Sequence, residues 1–505
     1  MPDPHSFEKL RPVGLLERHA TARHSLNFYN NVATSAYYSK PTSSYPLQQL
    51  VYRALAAVIA RYPVLSAIPV DEDKRAPYFA RLPRIDLRDA VTFVTRKQVY
   101  DGHDEGSDKE LDEILEQQHN INFKERYGEL PFWRVVILHG AGNTAHFVAC
   151  FIYHHVIGDG KSGLAFHRSF LSALSAIPDL ASATTGSGAS APVNGDADNG
   201  HEADTIVYPP QTPLIPNLES LHPLPLSIPY ILKALWNDWF PRAPRTLWTG
   251  GPISTAPSAR RVRFRSVTLS QSTSAGLLAA SRANSTTLTA AVEVLLAAAV
   301  LAHLPPERYS SVRCDCPVSL RRFLPSDIVD DDSIGTWVSR YEELHHRLSG
   351  VSSSRNSISN NSNALELFSW EEARRVKATI DAELRKNGRN TAAGLLRYVR
   401  DSHRFFKKKV GKPREHSFEL SNIGVFKPAV QQEGSKGEEE EGWRIGRMIF
   451  SQSADVVGAG FEACLVTGGD GRLTFGFSWL EGIVEGVWME KVIEELKGMM
   501  EKMAQ

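Results

Sequence analysis

Two adjacent histidines and an aspartate four residues after them are the side chains whose types and spacing favour acid–base chemistry. His154 and His155 follow an apolar run, and Asp159 and Gly160 complete the pattern HHxxxDG. A neutral imidazole can take a proton from a hydroxyl or an amine. Glycine on either side of the carboxylate, at positions 158 and 160, allows backbone or a bulky substrate to approach closely. The pattern therefore indicates a candidate catalytic site.

The elements on either side of the pattern can hold it in place. Phe147 to Tyr153 is rich in β-branched and aromatic residues, which predicts a buried strand. After the turn, apolar residues recur from Leu164 to Leu174 at close to helical spacing, which predicts an amphipathic helix. Asp159 occupies the position of a helix N-cap. We therefore expect the histidines at a strand end and the carboxylate at the start of a helix.

A metal site is the alternative interpretation of these residues. His155 and Asp159, four residues apart, could both be metal ligands. No third ligand is evident nearby in the sequence, so we expect no bound metal.

The HHxxxDG spacing resembles the signature of the thioester-dependent acyltransferase superfamily, which includes chloramphenicol acetyltransferase, plant acyltransferases and peptide-synthetase condensation domains. Three further segments resemble the fungal alcohol acetyltransferase family: RPVGLLE from residue 11, LWTGGP from residue 247 and SNIG from residue 421. The plant enzymes' DFGWG segment is not seen here. The resemblance implies that His155 is the general base, with His154 and Gly160 in the same catalytic motif. It also implies that Asp159 is structural and pairs with an arginine.

The resemblance implies an α/β (α+β) fold of two chloramphenicol-acetyltransferase-like lobes. Each lobe would be a mixed β-sheet flanked by helices, with a channel at the interface. A Gly-rich, polar segment separates two halves of ordinary composition, which is typical of a linker or surface loop. We therefore predict an N-terminal lobe over 1–177, a linker over 178–213 and a C-terminal lobe over 214–505.

Further site residues are expected by analogy with the superfamily. Arg321 or Arg322 would pair with Asp159, although both could face solvent. Ser421 and Asn422 follow an apolar strand, and donors near them could stabilise an oxyanion; a plain strand-to-turn transition is the alternative. The lysines at 407, 408 and 409 lie in the most basic stretch and could hold the phosphates of coenzyme A; an exposed helix face is the alternative.

Composition excludes some classes of protein. The 505 residues have a formal net charge of +0, which argues against a nucleic-acid-binding role. Four cysteines are too few for a disulfide framework and suit a reducing compartment. There is no secretory h-region at the N-terminus and no run of eighteen apolar residues, so we expect neither a signal peptide nor a membrane-spanning helix. We expect a cytoplasmic monomer, with peripheral contact to the endoplasmic reticulum or lipid droplets left open.

Other stretches predict local structure. Residues 48–67 predict an amphipathic helix, and residues 79–87 and 132–138 predict strands. A hairpin is predicted over 461–479, around Gly468 to Gly471. The apolar stretch 221–248 favours an inter-lobe crossover packed on the core, with a substrate tunnel or a membrane contact as alternatives. Segments 349–362 and 431–442 predict surface loops.

The expected activity is acyl transfer, most simply of acetyl from acetyl-CoA to the hydroxyl of an alcohol or secondary metabolite. No permanently bound cofactor is expected, and the small-molecule acceptor is not identified. Two alternatives stay open: acylation of an amine such as a sphingoid base or toxin, and a non-catalytic binding module of the condensation type. Hydrolysis of the thioester by water is expected as a side reaction at most.

Overall fold

The computed structural model describes residues 2–41, 45–98, 107–142, 145–178, 205–240, 244–348, 364–428 and 442–505. Within these ranges strands and helices are interspersed along the chain, which confirms the mixed α/β class. The strands, labelled β1 to β17 in chain order, are Lys9–Pro12, Val32–Ser39, Ala67–Val70, Tyr78–Arg81, Ile85–Asp86, Val91–Thr95, Trp133–His139, His146–Tyr153, Ile206–Val207, Leu247–Trp248, Val262–Thr268, Ser311–Ser319, Val338–His346, Phe418–Val425, Arg444–Gln452, Phe461–Thr467 and Leu473–Leu480. The helices, α1 to α13, are Leu15–Ser25, Leu47–Arg61, Leu87–Ala90, Lys109–His119, Gly160–Ser175, Leu218–Leu221, Ile228–Trp239, Gln271–Ala283, Leu288–Ala302, Trp370–Arg385, Ala392–Leu395, Ser402–Lys407 and Gly486–Met503.

A five-stranded sheet positions the HHxxxDG segment. Its strand order is β15-β2-β8-β7-β6, so β8 lies at the centre. From Phe147 to Tyr153 every residue of β8 is buried, as expected for a strand covered on both faces. Helix α5 contacts β2 and α2. The end of β8 and the start of α5 are therefore fixed by the packed core of the first half of the chain.

One strand of this sheet comes from the second half of the chain. β15, Arg444–Gln452, pairs antiparallel with β2, Val32–Ser39. The predicted boundaries at 177 and 214 remain a prediction, but any division of the chain has to place this strand with the N-terminal sheet. Most of the predicted linker, residues 179–204, lies outside the described residues, as do the predicted loop 349–362 and all but the last residue of 431–442.

The second sheet faces the catalytic segment from the other half of the chain. Its strands run in the order β10-β12-β14-β16-β17-β11, and β13 pairs along the length of β12. β14 is parallel to both β12 and β16. Helix α9 is apolar apart from Thr289 and Glu293 and is buried from Ala290 to Leu301, as expected for a core helix. The hairpin predicted over 461–479 is confirmed as β16 and β17.

The single strand predicted over 79–87 is wrong. The structure has two short strands, Tyr78–Arg81 and Ile85–Asp86, followed by helix α3. Pro83 lies between the strands and has no N–H to donate to a ladder. The side chain of Asp86 then accepts a hydrogen bond from the backbone N–H of Arg88 at 3.0 Å, which caps α3.

The expectation that the apolar stretch 221–248 packs on the core is also wrong for helix α7. Ile228, Leu232 and Trp239 on this helix are 73%, 61% and 70% exposed. Leu235 and Trp236 are also exposed, so the helix presents an apolar stripe to solvent.

The four cysteines, Cys150, Cys314, Cys316 and Cys464, are free and buried. No single helix in the described ranges has the length and hydropathy needed to cross a bilayer. Gln271–Ala283 and Leu288–Ala302 meet that requirement only as a pair, which is bent by 103°.

Candidate active site

The connection between β8 and α5 is fixed by backbone hydrogen bonds. The N–H of His154 donates to the carbonyl of Phe132 at 2.9 Å, and the carbonyl of His154 accepts from Ile157 at 2.9 Å. At the other end of the turn, the Asp159 carboxylate accepts from the backbone N–H of Ser162 at 3.2 Å, as predicted for an N-cap. This places His155 between two rigid elements.

Asp159 is a buried anchor point between the two halves of the chain. Its Oδ2 accepts from Nη1 of Arg321 at 2.6 Å and from the backbone N–H of Trp337 at 3.1 Å. Burial alone would raise the pKa of Asp159, but the Arg321 guanidinium and the Trp337 N–H hold it below its usual value. Of the two candidate arginines, the structure therefore places Arg321 against the aspartate, whereas Arg322 is exposed.

His155 presents a neutral imidazole. Burial, and then the nearby Arg23 guanidinium, lower the pKa of His155 to about 4. Its Nδ1 is enclosed by protein, which leaves Nε2 as the ring nitrogen that a substrate can reach. The carbonyl of His155 accepts from the hydroxyl of Thr336 at 2.9 Å, a contact that ties the turn to the second half of the chain.

His154 points away from this site and joins a buried cluster with His24 and Glu72. Its Nε2 lies 3.2 Å from one Glu72 oxygen, and His24 Nδ1 lies 2.8 Å from the other. The remaining ring nitrogens accept from backbone: His154 Nδ1 from Val156 at 2.8 Å, and His24 Nε2 from Phe123 at 3.0 Å. His154 therefore braces the turn from behind rather than facing the cavity.

The three ligand atoms of this cluster lie within 4.8 Å of one another, a spacing that could hold a metal ion. The hydrogen bonds just described test that possibility. A ring nitrogen that accepts from a backbone N–H has no proton of its own, so the other nitrogen must be protonated. The protonated nitrogens of His24 and His154 both point at Glu72, and a metal ion there would need both to lose that proton. The geometry fits a carboxylate that bridges two histidines. Burial would raise the pKa of Glu72, but His24 and then His154 lower it to about 2.

His155 opens onto a cavity of about 420 Å³ that both halves of the chain line. From the first half it is lined by His155, Gly160 and Arg23, and from the second by residues of β12, β14 and β15. A Cβ on Gly160 would lie 2.5 Å from Cγ2 of Ile423 and 2.7 Å from Cζ of Phe450, both of which line the cavity. Glycine at 160 therefore lets α5 begin directly against the cavity wall.

Ser421 and Asn422 both line this cavity. The Asn422 amide is already engaged: its Nδ2 donates to Thr289 Oγ1 at 2.9 Å and its Oδ1 accepts from the Gly424 N–H at 2.9 Å. Gly424 has a φ of +93°, a conformation that favours glycine. Asn422 thus shapes the end of β14, and the Ser421 hydroxyl is the better placed donor of the two.

The three lysines predicted to hold coenzyme A phosphates are not equivalent. Lys409 lines the cavity, and its Nζ lies 3.1 Å from Glu415 Oε1. Lys407 and Lys408 are exposed and are not among the residues that line the cavity. Arg23, Lys161 and Arg340 are further cations on its wall, none of which the sequence pattern singled out.

Residues 12–185 and 251–502 match the family model described as alcohol acetyltransferase. The chain is 36% identical over 490 residues to the probable alcohol acetyltransferase crmB of Aspergillus fumigatus, covering 95% of this chain and 96% of that protein. It is 26% identical over 504 residues to the probable alcohol acetyltransferase FCK4 of Fusarium pseudograminearum, covering 97% and 94% of the two chains.

Solved structures share the fold. Trichothecene 15-O-acetyltransferase TRI3 from Fusarium sporotrichioides aligns with a TM-score of 0.67 at 14% identity, over 98% of this chain and 94% of that one. The first condensation domain of the CDA synthetase aligns with a TM-score of 0.57 at 15% identity, over 98% and 96%. The predicted chloramphenicol-acetyltransferase-like fold is confirmed.

Proposed function

Since this chain belongs to the alcohol acetyltransferase family, we propose that it transfers acetyl from acetyl-CoA to the hydroxyl of a small alcohol or secondary metabolite. The family makes the protein an O-acyltransferase and implies an acyl-CoA co-substrate. The observation that supports the mechanism is the position of His155, a neutral imidazole on a cavity lined by both halves of the chain.

In this mechanism His155 is the general base. The acceptor oxygen attacks the thioester carbonyl while its proton moves to Nε2 of His155, and the carbonyl becomes a tetrahedral oxyanion. The oxyanion then collapses, the C–S bond breaks, and the proton returns from His155 to the departing sulfur. The products are an ester and free coenzyme A, and no acyl-enzyme forms.

Three other groups have supporting roles in the proposal. The hydroxyl of Ser421, on the cavity wall, stabilises the oxyanion by donating a hydrogen bond. The Asp159–Arg321 pair holds the turn that contains His155. Lys409 is the member of the basic stretch that can contact a phosphate of coenzyme A from the cavity.

We also propose a cytoplasmic location, because four free cysteines suit a reducing compartment. The exposed apolar stripe of α7 supports a peripheral contact with a membrane surface. Sedimentation with phospholipid vesicles tests this contact: the wild-type protein should pellet with them, and a Trp236→Ser/Trp239→Ser variant should pellet less.

Turnover of purified protein tests the function. Acetyl-CoA and a panel of alcohols should release free thiol, and mass spectrometry should detect acetyl esters rather than amides. His155→Ala should lower the rate by about 10²–10⁴. His346→Ala, at an exposed histidine of β13 outside the cavity, should not lower it. Wild-type turnover by a folded His155→Ala variant would contradict the mechanism.

A further inference from the structure

Four carboxylates lie side by side across the second sheet. In register, Glu342 of β13 faces Asp315 of β12, Asp315 faces Glu419 of β14, and Glu419 faces Glu462 of β16. Asp315, Glu419 and Glu462 line the same cavity as His155, whereas Glu342 does not. Side chains two residues apart in a strand share a face, so Glu419 lies on the face of β14 that also presents Ser421.

The charges of this row are only partly compensated. Asp315 Oδ2 pairs with Arg340 Nη1 at 2.7 Å, and Glu342 lies 3.2 Å from His416 Nε2. Within the described ranges no lysine, arginine or histidine lies within 4 Å of a carboxylate oxygen of Glu419 or Glu462.

A single neutral amide serves both of these glutamates. Gln452 Nε2 donates to Glu419 Oε1 at 2.7 Å and to Glu462 Oε2 at 3.4 Å. Burial, followed by the charge of Asp315, raises the pKa of Glu419 to about 7, and burial raises the pKa of Glu462 as well. Two adjacent carboxylates on a cavity wall, neither with a cation within 4 Å in the described part of the chain, favour a cationic ligand.

A further atom of the row points to a ligand. Asp315 is only 7% exposed and lines the cavity, and its Oδ1 has no hydrogen-bond partner in the described part of the chain. Glu419 and Glu462 offer acceptor oxygens on the cavity wall, with the unpaired Oδ1 of Asp315 enclosed beside them, and an ammonium group has three N–H donors and no acceptor. A coenzyme A phosphate would be repelled by the same wall, so the wall belongs to the acceptor side.

The row lies beside the proposed base. The hydroxyl of Tyr29 donates to Gln452 Oε1 at 2.9 Å, and the Tyr29 ring centroid lies 5.8 Å from that of His155. Two side chains, Gln452 and Tyr29, therefore link the carboxylates to the imidazole.

We propose that Glu419 and Glu462, with Asp315, form a subsite for a protonated amine on the acceptor alcohol. The inference rests on the proposed function and specifies its acceptor as an amino alcohol. An ammonium nitrogen has no lone pair, so holding the amine in this form leaves the hydroxyl as the nucleophile at His155. The product is then an amino ester rather than an amide.

Three matched series of acceptors test the subsite in wild-type protein with acetyl-CoA: unbranched amino alcohols, diols and simple alkanols of the same chain lengths. The kcat/KM for the favoured amino alcohol should exceed that of its matched diol and alkanol by about tenfold or more. Glu419→Gln should reduce this preference about tenfold. Glu342→Gln, at the end of the row and outside the cavity, should leave the preference unchanged.

The results of these assays distinguish failure of the amine subsite from failure of the proposed acyl transfer. Alkanol turnover without any preference for the amine, or diols used as well as amino alcohols, would overturn the subsite and leave the acyl transfer standing. If no acceptor is turned over, the proposed function fails, and calorimetry with hexylammonium still decides the subsite. If hexylammonium binds the wild-type protein and its affinity falls about tenfold in Glu419→Gln, the subsite is supported. If hexylammonium does not bind the wild-type protein, the subsite is overturned.

Discussion

Asp159 and Arg321, separated by 162 positions in the chain, form a buried ion pair with 2.6 Å between Oδ2 and Nη1. The same guanidinium donates from Nη2 to the Ser162 hydroxyl at 3.2 Å and to the Ser333 carbonyl at 3.3 Å. A side chain of the second half thus holds the helix start that follows His155. The proposed base is therefore oriented by contacts that exist only when both halves are folded together.

Removing the arginine should destabilise the protein. Arg321→Leu leaves the Asp159 carboxylate buried without its cation, so we expect the free energy of unfolding to fall by about 3–5 kcal/mol. Urea denaturation measures this change. Arg322→Leu, at the exposed neighbour, should change the stability by less than about 0.5 kcal/mol. Equal effects of the two substitutions would contradict the assignment.

Activity should not titrate near the ordinary histidine pKa. His155 acts as a base only when neutral, and its pKa is lowered to about 4, so kcat/KM for a simple alkanol acceptor should stay level from about pH 8 to pH 5. The unfolded chain protonates this histidine near its ordinary value while the folded chain does not. Its contribution to stability therefore falls as the pH drops from about 6.5 towards 4 and is constant above that range. An inflection near pH 6.5 in the pH–rate profile for that alkanol would contradict a ring that is neutral over this range.

Space at the start of α5 should limit catalysis. Gly160→Val would place side-chain atoms where Ile423 and Phe450 already lie, so we expect kcat/KM to fall by at least about tenfold. Gly498→Ala in α13 has nothing within 4 Å of the added Cβ and should keep full activity with a small gain in stability. Steady-state kinetics of both variants make the comparison. An active Gly160→Val variant would mean that substrates do not approach this part of the wall.

The Glu72 carboxylate, which lies between His24 and His154, should contribute to stability. Glu72→Gln replaces one acceptor oxygen with an N–H₂ group that cannot accept from a histidine N–H. We expect a loss of about 1–3 kcal/mol in the free energy of unfolding. The lowered pKa of Glu72 means that its contribution is present above about pH 4.5 and is lost as the pH falls towards 2. Asp73→Asn, at an exposed carboxylate nearby, should leave the denaturation midpoint unchanged.

The local parts of the site were predictable from the sequence. The strand before His154 and the helix cap at Asp159 follow from residue types over a few neighbouring positions, whereas the site position of Ser421 was expected only from the resemblance to the superfamily. The resemblance narrowed the partner of Asp159 to Arg321 or Arg322. Only the fold distinguishes these two residues, because Arg321 is buried and Arg322 is exposed.

The long-range parts could not be predicted in this way. Glu419 and Glu462 each look like an ordinary glutamate within a strand, and their position side by side depends on the register of β14 and β16. Helix α7 has an apolar stripe that the sequence shows clearly, but the pattern does not say whether another element covers it. The placement of β15 in the N-terminal sheet likewise depends on a pairing across about 400 residues.

The late position of β15 in the chain has a consequence for synthesis of the protein. Until the ribosome has released residue 452, β2 has an open edge of eight residues where β15 will pair. Unpaired edges of this kind invite association with other chains. The N-terminal sheet therefore keeps an unpaired, aggregation-prone edge during most of translation. Expression of residues 1–428, which lack β15, should give aggregated protein.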